Sequence, residues 1–104
     1  MKNVKILIVI VNYKSTNDLI ELLDSINKLK YKNHDILVID NNSQESLEEL
    51  KKYKIKLIEN KDNLGFTGAI NQALKNYFGE PANAPVVLLI KAVIKPTITI
   101  LIKP

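Results

Sequence analysis

Residues 6–11 read Ile-Leu-Ile-Val-Ile-Val, an apolar run with no polar residue at alternate positions. A strand with one wet face alternates, so an unbroken run belongs to a strand covered on both faces. Such strands sit in parallel sheets whose crossover helices pack above and below. The rest of the chain supplies those helices. After a strand over residues 5–11, Ser15 or Thr16 is placed to cap a helix and Asp18 to favour its positive end. Leu19, Leu22, Leu23, Ile26 and Leu29 then recur at helical spacing. A second strand spans residues 35–40, with Ile36 to Ile39 as its apolar centre. Residues 46–53 form a short helix, acidic early and lysine-rich late, and residues 54–59 a third strand. A loop over 60–66 leads to a helix starting at Thr67 or Gly68, with Ala69, Ile70, Ala73, Leu74 and Tyr77 on one side. Residues 79–85 break the pattern, and strands follow at 86–90 and 97–102. The expected fold class is α/β, a mostly parallel sheet flanked by helices in a single domain over residues 1–104.

Composition narrows the partners. The net charge of +4 invites an anion, but all fifteen basic residues are lysine and they are interspersed with acidic ones, as in Glu48-Glu49-Leu50-Lys51-Lys52. Base-edge recognition favours arginine, so a solvated surface is expected and no nucleic-acid partner. The chain has no cysteine, which excludes disulfides and thiolate chemistry and suits a reducing, cytoplasmic setting. The apolar run at the N-terminus is too short for a signal peptide and lacks a small-residue cleavage site. Lys91 and Lys95 interrupt the last apolar segment, so no membrane span is expected.

Ligands of open parallel sheets bind beyond the carboxyl ends of the strands. Those places hold Asn12-Tyr13, Asp40-Asn41-Asn42-Ser43, residues 60–68 and the segment from Lys91 onward. No G-x-G-x-x-G follows the first strand and no G-x-x-x-x-G-K-[ST] occurs, which excludes the usual dinucleotide and P-loop sites. His34 is the single histidine, leaving little for His-based metal sites or triads, and is expected to be an ordinary exposed residue.

Three of these clusters, Val9-Ile10-Val11-Asn12-Tyr13, Val38-Ile39-Asp40-Asn41-Asn42-Ser43 and Asn63-Leu64-Gly65-Phe66-Thr67-Gly68-Ala69-Ile70-Asn71, resemble the successive signatures of family 2 glycosyltransferases with the GT-A fold. Order and spacing agree over residues 4–78. The resemblance implies the Rossmann-like, nucleotide-sugar-binding half of that fold, with the first two clusters around the nucleoside of a donor that is commonly UDP-linked. The residues themselves leave more than one reading open. Tyr13 offers a stacking face or packs on the first helix. Asp40 accepts a hydrogen bond from a base or ribose donor, or caps its own loop. Asn42 and Ser43 do either, with capping the plainer role for Ser43. Gly65 and Gly68 permit left-handed angles and close ligand approach, or serve a turn and helix–sheet packing. Asn71 resembles a family asparagine near the sugar nucleotide, or is a surface helix residue.

The pattern breaks after the fourth strand. The family carries there a D-x-D-like motif whose carboxylates hold Mg²⁺ or Mn²⁺ against the diphosphate. Here the residues are Leu89-Ile90-Lys91-Ala92-Val93-Ile94-Lys95-Pro96, and no Asp or Glu follows Glu80. Lys91 and Lys95 either neutralise a diphosphate or simply face solvent. The chain also stops before the part where the family places its acceptor surface and general base. No catalytic and no metal-binding residue is therefore assigned. The expectation is an inverting, hexosyl-transferring fold that binds its donor but does not complete transfer alone. The alternative is a non-catalytic module for nucleotide binding or for homo-oligomerisation through the C-terminal strand.

Overall fold

A computed structural model describes the backbone at residues 5–78, 86–93 and 97–103, with side chains described through residue 76. Five strands form one sheet: β1 (Lys5–Asn12), β2 (His34–Asp40), β3 (Lys56–Glu59), β4 (Val86–Val93) and β5 (Thr97–Lys103). Their spatial order is β3-β2-β1-β4-β5. β1 to β4 run parallel, and β5 turns back antiparallel along β4. Helix α1 (Thr16–Asn27) links β1 to β2, and α2 (Gly65–Phe78) leads from β3 toward β4. The architecture is the α/β one expected from the buried run in β1.

That run divides its side chains between two cores. Leu7, Val9 and Val11 point with Leu37 and Ile39 toward Ala69 and Ala73 of α2. The small alanines, one helical turn apart, let α2 lie close on the sheet. Ile8 and Ile10 point the other way, with Ile36 and Val38, against Leu19, Leu23 and Ile26 of α1 and against Leu50. The chain thus steps from β1 to β2 to β3 on one side, then crosses back to β4 on the other side of β1. The reversal puts a switch point between β1 and β4, where Asn12 is the register partner of Val93.

Several boundaries differ from expectation. Residues 46–53 do not make an α-helix; Glu48–Lys52 is a 3₁₀-helix. The amide of Leu50 donates to the Leu47 carbonyl and that of Tyr53 to the Leu50 carbonyl, so three-residue spacing brings Leu50 into the core. One turn cannot repay helix nucleation, and the tighter form suffices. β3 begins at Lys56, two residues later than expected, and α2 begins at Gly65. Leu29 lies beyond the end of α1 and is exposed. β4 continues through Lys91 to Val93, paired with β1 as far as Val93 and with β5 as far as Ala92. The break at residues 79–85 lies outside the described residues.

Candidate functional site

The carboxyl ends of β1 and β2 meet side by side, with Asn12 and Asp40 as register partners. Asn12 is 0% and Asp40 4% exposed. The Asn12 amide nitrogen donates to Asp40 Oδ1 at 2.9 Å and lies 3.3 Å from Thr16 Oγ1 and 3.4 Å from Ser43 Oγ. Ser43 closes the cluster: its hydroxyl donates to Asp40 Oδ1 at 2.6 Å and its backbone N–H to Asp40 Oδ2 at 3.0 Å. The same hydroxyl oxygen accepts the Lys14 N–H at 2.8 Å. Asp40 therefore caps its own loop, the reading that its place at a strand end had not favoured, and ties that loop to the turn after β1. Asn12 Oδ1 is buried with no hydrogen-bond partner among the described residues.

Both loops are bent into costly shapes. Lys14, Asn42 and Gln44 all have left-handed backbones, with φ of 53°, 60° and 59°. Asparagine tolerates this region; lysine and glutamine occupy it at a cost of about 1 kcal/mol or more. Such strain persists where neighbouring bonds over-determine the backbone, and it gathers at ligand sites.

A second polar chain continues the girdle toward β3 and α2. The backbone N–H of Asn41 donates to the Asn12 carbonyl, and that of Asn60 to the Asp40 carbonyl, extending the parallel ladder past the strand ends. The Asn41 side chain donates to the Gly65 carbonyl at 3.1 Å and accepts from Asn60 at 3.0 Å. Asn60 and Gln72 exchange amide hydrogen bonds at 2.9 and 2.7 Å. Gly65 has φ of 71°, and open space surrounds the position a Cβ would take, so backbone angle alone selects glycine there. Its N–H is held by the Asn63 side chain at 2.8 Å.

Of the expected site residues, Asn12 and Asp40 are bonded to each other, and Gly65 is tied to them through Asn41. Asn42 is half-buried on the same loop. Tyr13 is half-buried beside Asn12, with the Lys14 ammonium 5.2 Å from its ring centroid. Gly68 does not take left-handed angles: it lies within α2, where an added Cβ would come within 3.0 Å of Leu64 Cβ. Asn71 is exposed on α2 and makes no hydrogen bond to the cluster among the described residues.

The capping of α1 also departs from expectation. Ser15 holds the cap position without a side-chain cap; its hydroxyl donates to the Tyr13 carbonyl instead. The cap comes from Glu45, whose Oε1 accepts from the Thr16 N–H at 3.2 Å and the Thr16 hydroxyl at 2.7 Å. A cavity of about 530 Å³ opens between these loops, lined by Lys14, Thr16, Asp18, Glu45, Ser46 and Glu49 among others; Tyr13 and Asp40 do not line it. Glu45, Asn41, Asn60 and Gln72 carry no local sequence signal beyond their places after the strands.

A family model for glycosyl transferase family 2 matches residues 7–90, which span β1 through the first half of β4 and every cluster of the crevice. The chain belongs to glycosyl transferase family 2. The sheet and its two helices are the Rossmann-like half of a GT-A fold. No match was found among curated proteins. In this family 2 chain the end of β4 lies directly beside Asn12. The residues there are Lys91, Ala92 and Val93, none with an oxygen ligand in its side chain. Among the described residues no three His, Cys, Asp or Glu side chains converge. Among the same residues no helix is long and apolar enough to cross a membrane.

Proposed function

We propose that this glycosyl transferase family 2 chain binds a nucleoside-diphosphate sugar, commonly UDP-linked, at the carboxyl ends of β1 to β3 and does not transfer the sugar by itself. The observation that carries the reading is the Asn12–Asp40–Ser43 cluster at the switch point, framed by two strained loops and by the start of α2. Asp40 Oδ2 receives one protein donor, from the Ser43 N–H, and so keeps a lone pair for a ring N–H or ribose hydroxyl. Tyr13, half-buried, stands beside the cluster and carries an aromatic ring on which a base could stack. Asn42, Gly65, Gly68 and Asn71 complete the proposed contacts, the last two along α2. The absence of side-chain oxygens at residues 91–93 argues against a metal clamp on the diphosphate, and hence against efficient departure of the nucleotide. A chain without cysteine suits the reducing cytoplasm.

Calorimetric titration with UDP, GDP and dTDP, each with and without Mn²⁺, tests this. UDP should bind with a Kd of roughly 0.1–1 mM, about −4 to −5.5 kcal/mol, with little effect of Mn²⁺. Asp40→Asn, assayed where it is folded, should weaken UDP by about tenfold, in line with loss of a charge-assisted acceptor. Undiminished affinity, or sugar transfer by the isolated chain, would overturn the corresponding half of the proposal. A second reading follows from the edge position of β5, whose outer ladder is available to a second copy. Sedimentation velocity decides it: a dimer abolished by Thr99→Pro favours pairing, a monomer excludes it.

A further inference from the structure

The opposite end of the sheet holds a second cavity, of about 490 Å³, at the amino ends of β2 and β3. Its apolar lining comes from Ile36 and Leu37, both buried, and from half-buried Ile55. Its exposed lining comes from Lys32, Lys54 and Lys56 together with Asn27 and Asp35. Three of the chain's lysines thus converge on one apolar hollow, although the sequence scatters them among acidic residues. Lys32 donates to the carbonyl of Asn27, the last residue of α1, so that helix end presents an ammonium beside the cavity. Neither Lys54 nor Lys56 has a carboxylate partner within ion-pair distance among the described residues; the ion pairs found are Lys5–Asp35 and Lys51–Glu48. Asp35 also lines the cavity, and Lys5 answers its charge at 3.0 Å.

His34 lies in the wall of the same cavity. It was expected to be an ordinary exposed residue, yet it is half-buried in the cavity wall. Its Nε2 is shielded from solvent and has no hydrogen-bond partner among the described residues. A buried polar atom without a partner is costly. Three ammonium groups match a dianion better than a single carboxylate, and the apolar walls match a hydrocarbon body.

We propose that this cavity binds a small phosphate monoester carrying an apolar group, at the end of the sheet remote from the nucleotide crevice. The site is independent of the reading above, and neither depends on the other. The test is an NMR titration of the full chain with butyl phosphate, inorganic phosphate and butanol at fixed ionic strength. Amides of residues 32–37 and 54–56 and the His34 ring are monitored. Butyl phosphate should give saturable shifts confined to those residues, and inorganic phosphate should bind at least about fivefold more weakly, as burial of a few methylenes requires. The Lys54→Gln/Lys56→Gln double variant, altered at two exposed positions, should lose roughly tenfold in affinity, the scale of two exposed ion pairs. Shifts that grow linearly, that chloride or butanol reproduces, or that centre on residues 12–16 and 40–45 would overturn the proposal. So would unchanged affinity in the folded double variant.

Discussion

Replacing Asp40 by asparagine removes one accepting oxygen and leaves the remaining atoms nearly in place. The carboxylate takes Asn12 Nδ2 and Ser43 Oγ on Oδ1 and the Ser43 N–H on Oδ2. An asparagine amide can serve one side only. If its oxygen faces Asn12, its NH₂ meets the Ser43 N–H, and a buried donor loses its acceptor. That loss costs about 1–3 kcal/mol, with a further fraction for the weaker neutral bonds. Asp40→Ala strands all three donors, and about 3–5 kcal/mol is expected. A domain of this length holds roughly 5–15 kcal/mol in total, so the alanine variant approaches the unfolding threshold while the asparagine variant stays folded. Urea denaturation followed by circular dichroism reads the difference directly. With a slope of about 1–3 kcal/mol per molar, Asp40→Asn should lower the midpoint by roughly 1 M. A double-mutant cycle with Asn12→Ala should give a coupling energy above about 0.5 kcal/mol. If both Asp40 variants unfold within about 0.5 kcal/mol of the wild type, the carboxylate is not the hub that the geometry makes it.

Three further outcomes follow from other parts of the fold. Glu45→Ala removes the acceptor of the Thr16 N–H and hydroxyl, and should destabilise by about 1–2 kcal/mol in denaturation, whereas Ser15→Ala should have almost no effect. Gly65→Ala meets no atom but must hold φ of 71°, so a loss of about 1 kcal/mol is expected, with a smaller loss for Gly65→Asn. The Tyr53 hydroxyl donates to Asp24 at 2.6 Å, and that bond pushes its pKa up to about 12 from 10.0. Because the folded value is the higher one, the stabilisation is complete below about pH 10 and is lost as pH rises toward 12. The difference in absorbance titration between wild type and Tyr53→Phe should show one phenolate step near 12. A step near 10 would remove the Asp24 bond from the account.

The sheet was legible because a doubly buried strand has a signature that few other elements share. The apolar residues 6–11 and 36–39 needed two covering faces, and the leucine and alanine spacings supplied them. The crevice was legible for the same reason: strand ends are fixed by where such runs stop, at Asn12 and at Asp40. What held those ends together was not. Glu45 reaches Thr16 across 29 positions, Asn60 pairs with Gln72 across 12, and Asn41 bridges to Gly65 across 24. Amide and carboxylate pairs of this kind have no periodicity, and their partners exist only once the loops are placed. The 3₁₀ turn was misread because acidic-then-basic patterning suits either helix type, while length decides between them. Gly68 stayed open between two readings because glycine is used both for left-handed angles and for close packing, and only coordinates distinguish the two. His34 opens β2 after a polar stretch, and nothing local signals that its Nε2 is shielded from solvent.

The central claim is that a nucleoside sits where β1, β2 and the start of α2 converge. Amide chemical-shift mapping of UDP on the isotope-labelled chain tests it most directly. The account predicts saturable perturbations at residues 12–14, 40–44 and 65, with the amino end of the sheet unmoved. Perturbations confined to other residues, or none at millimolar UDP, would contradict it.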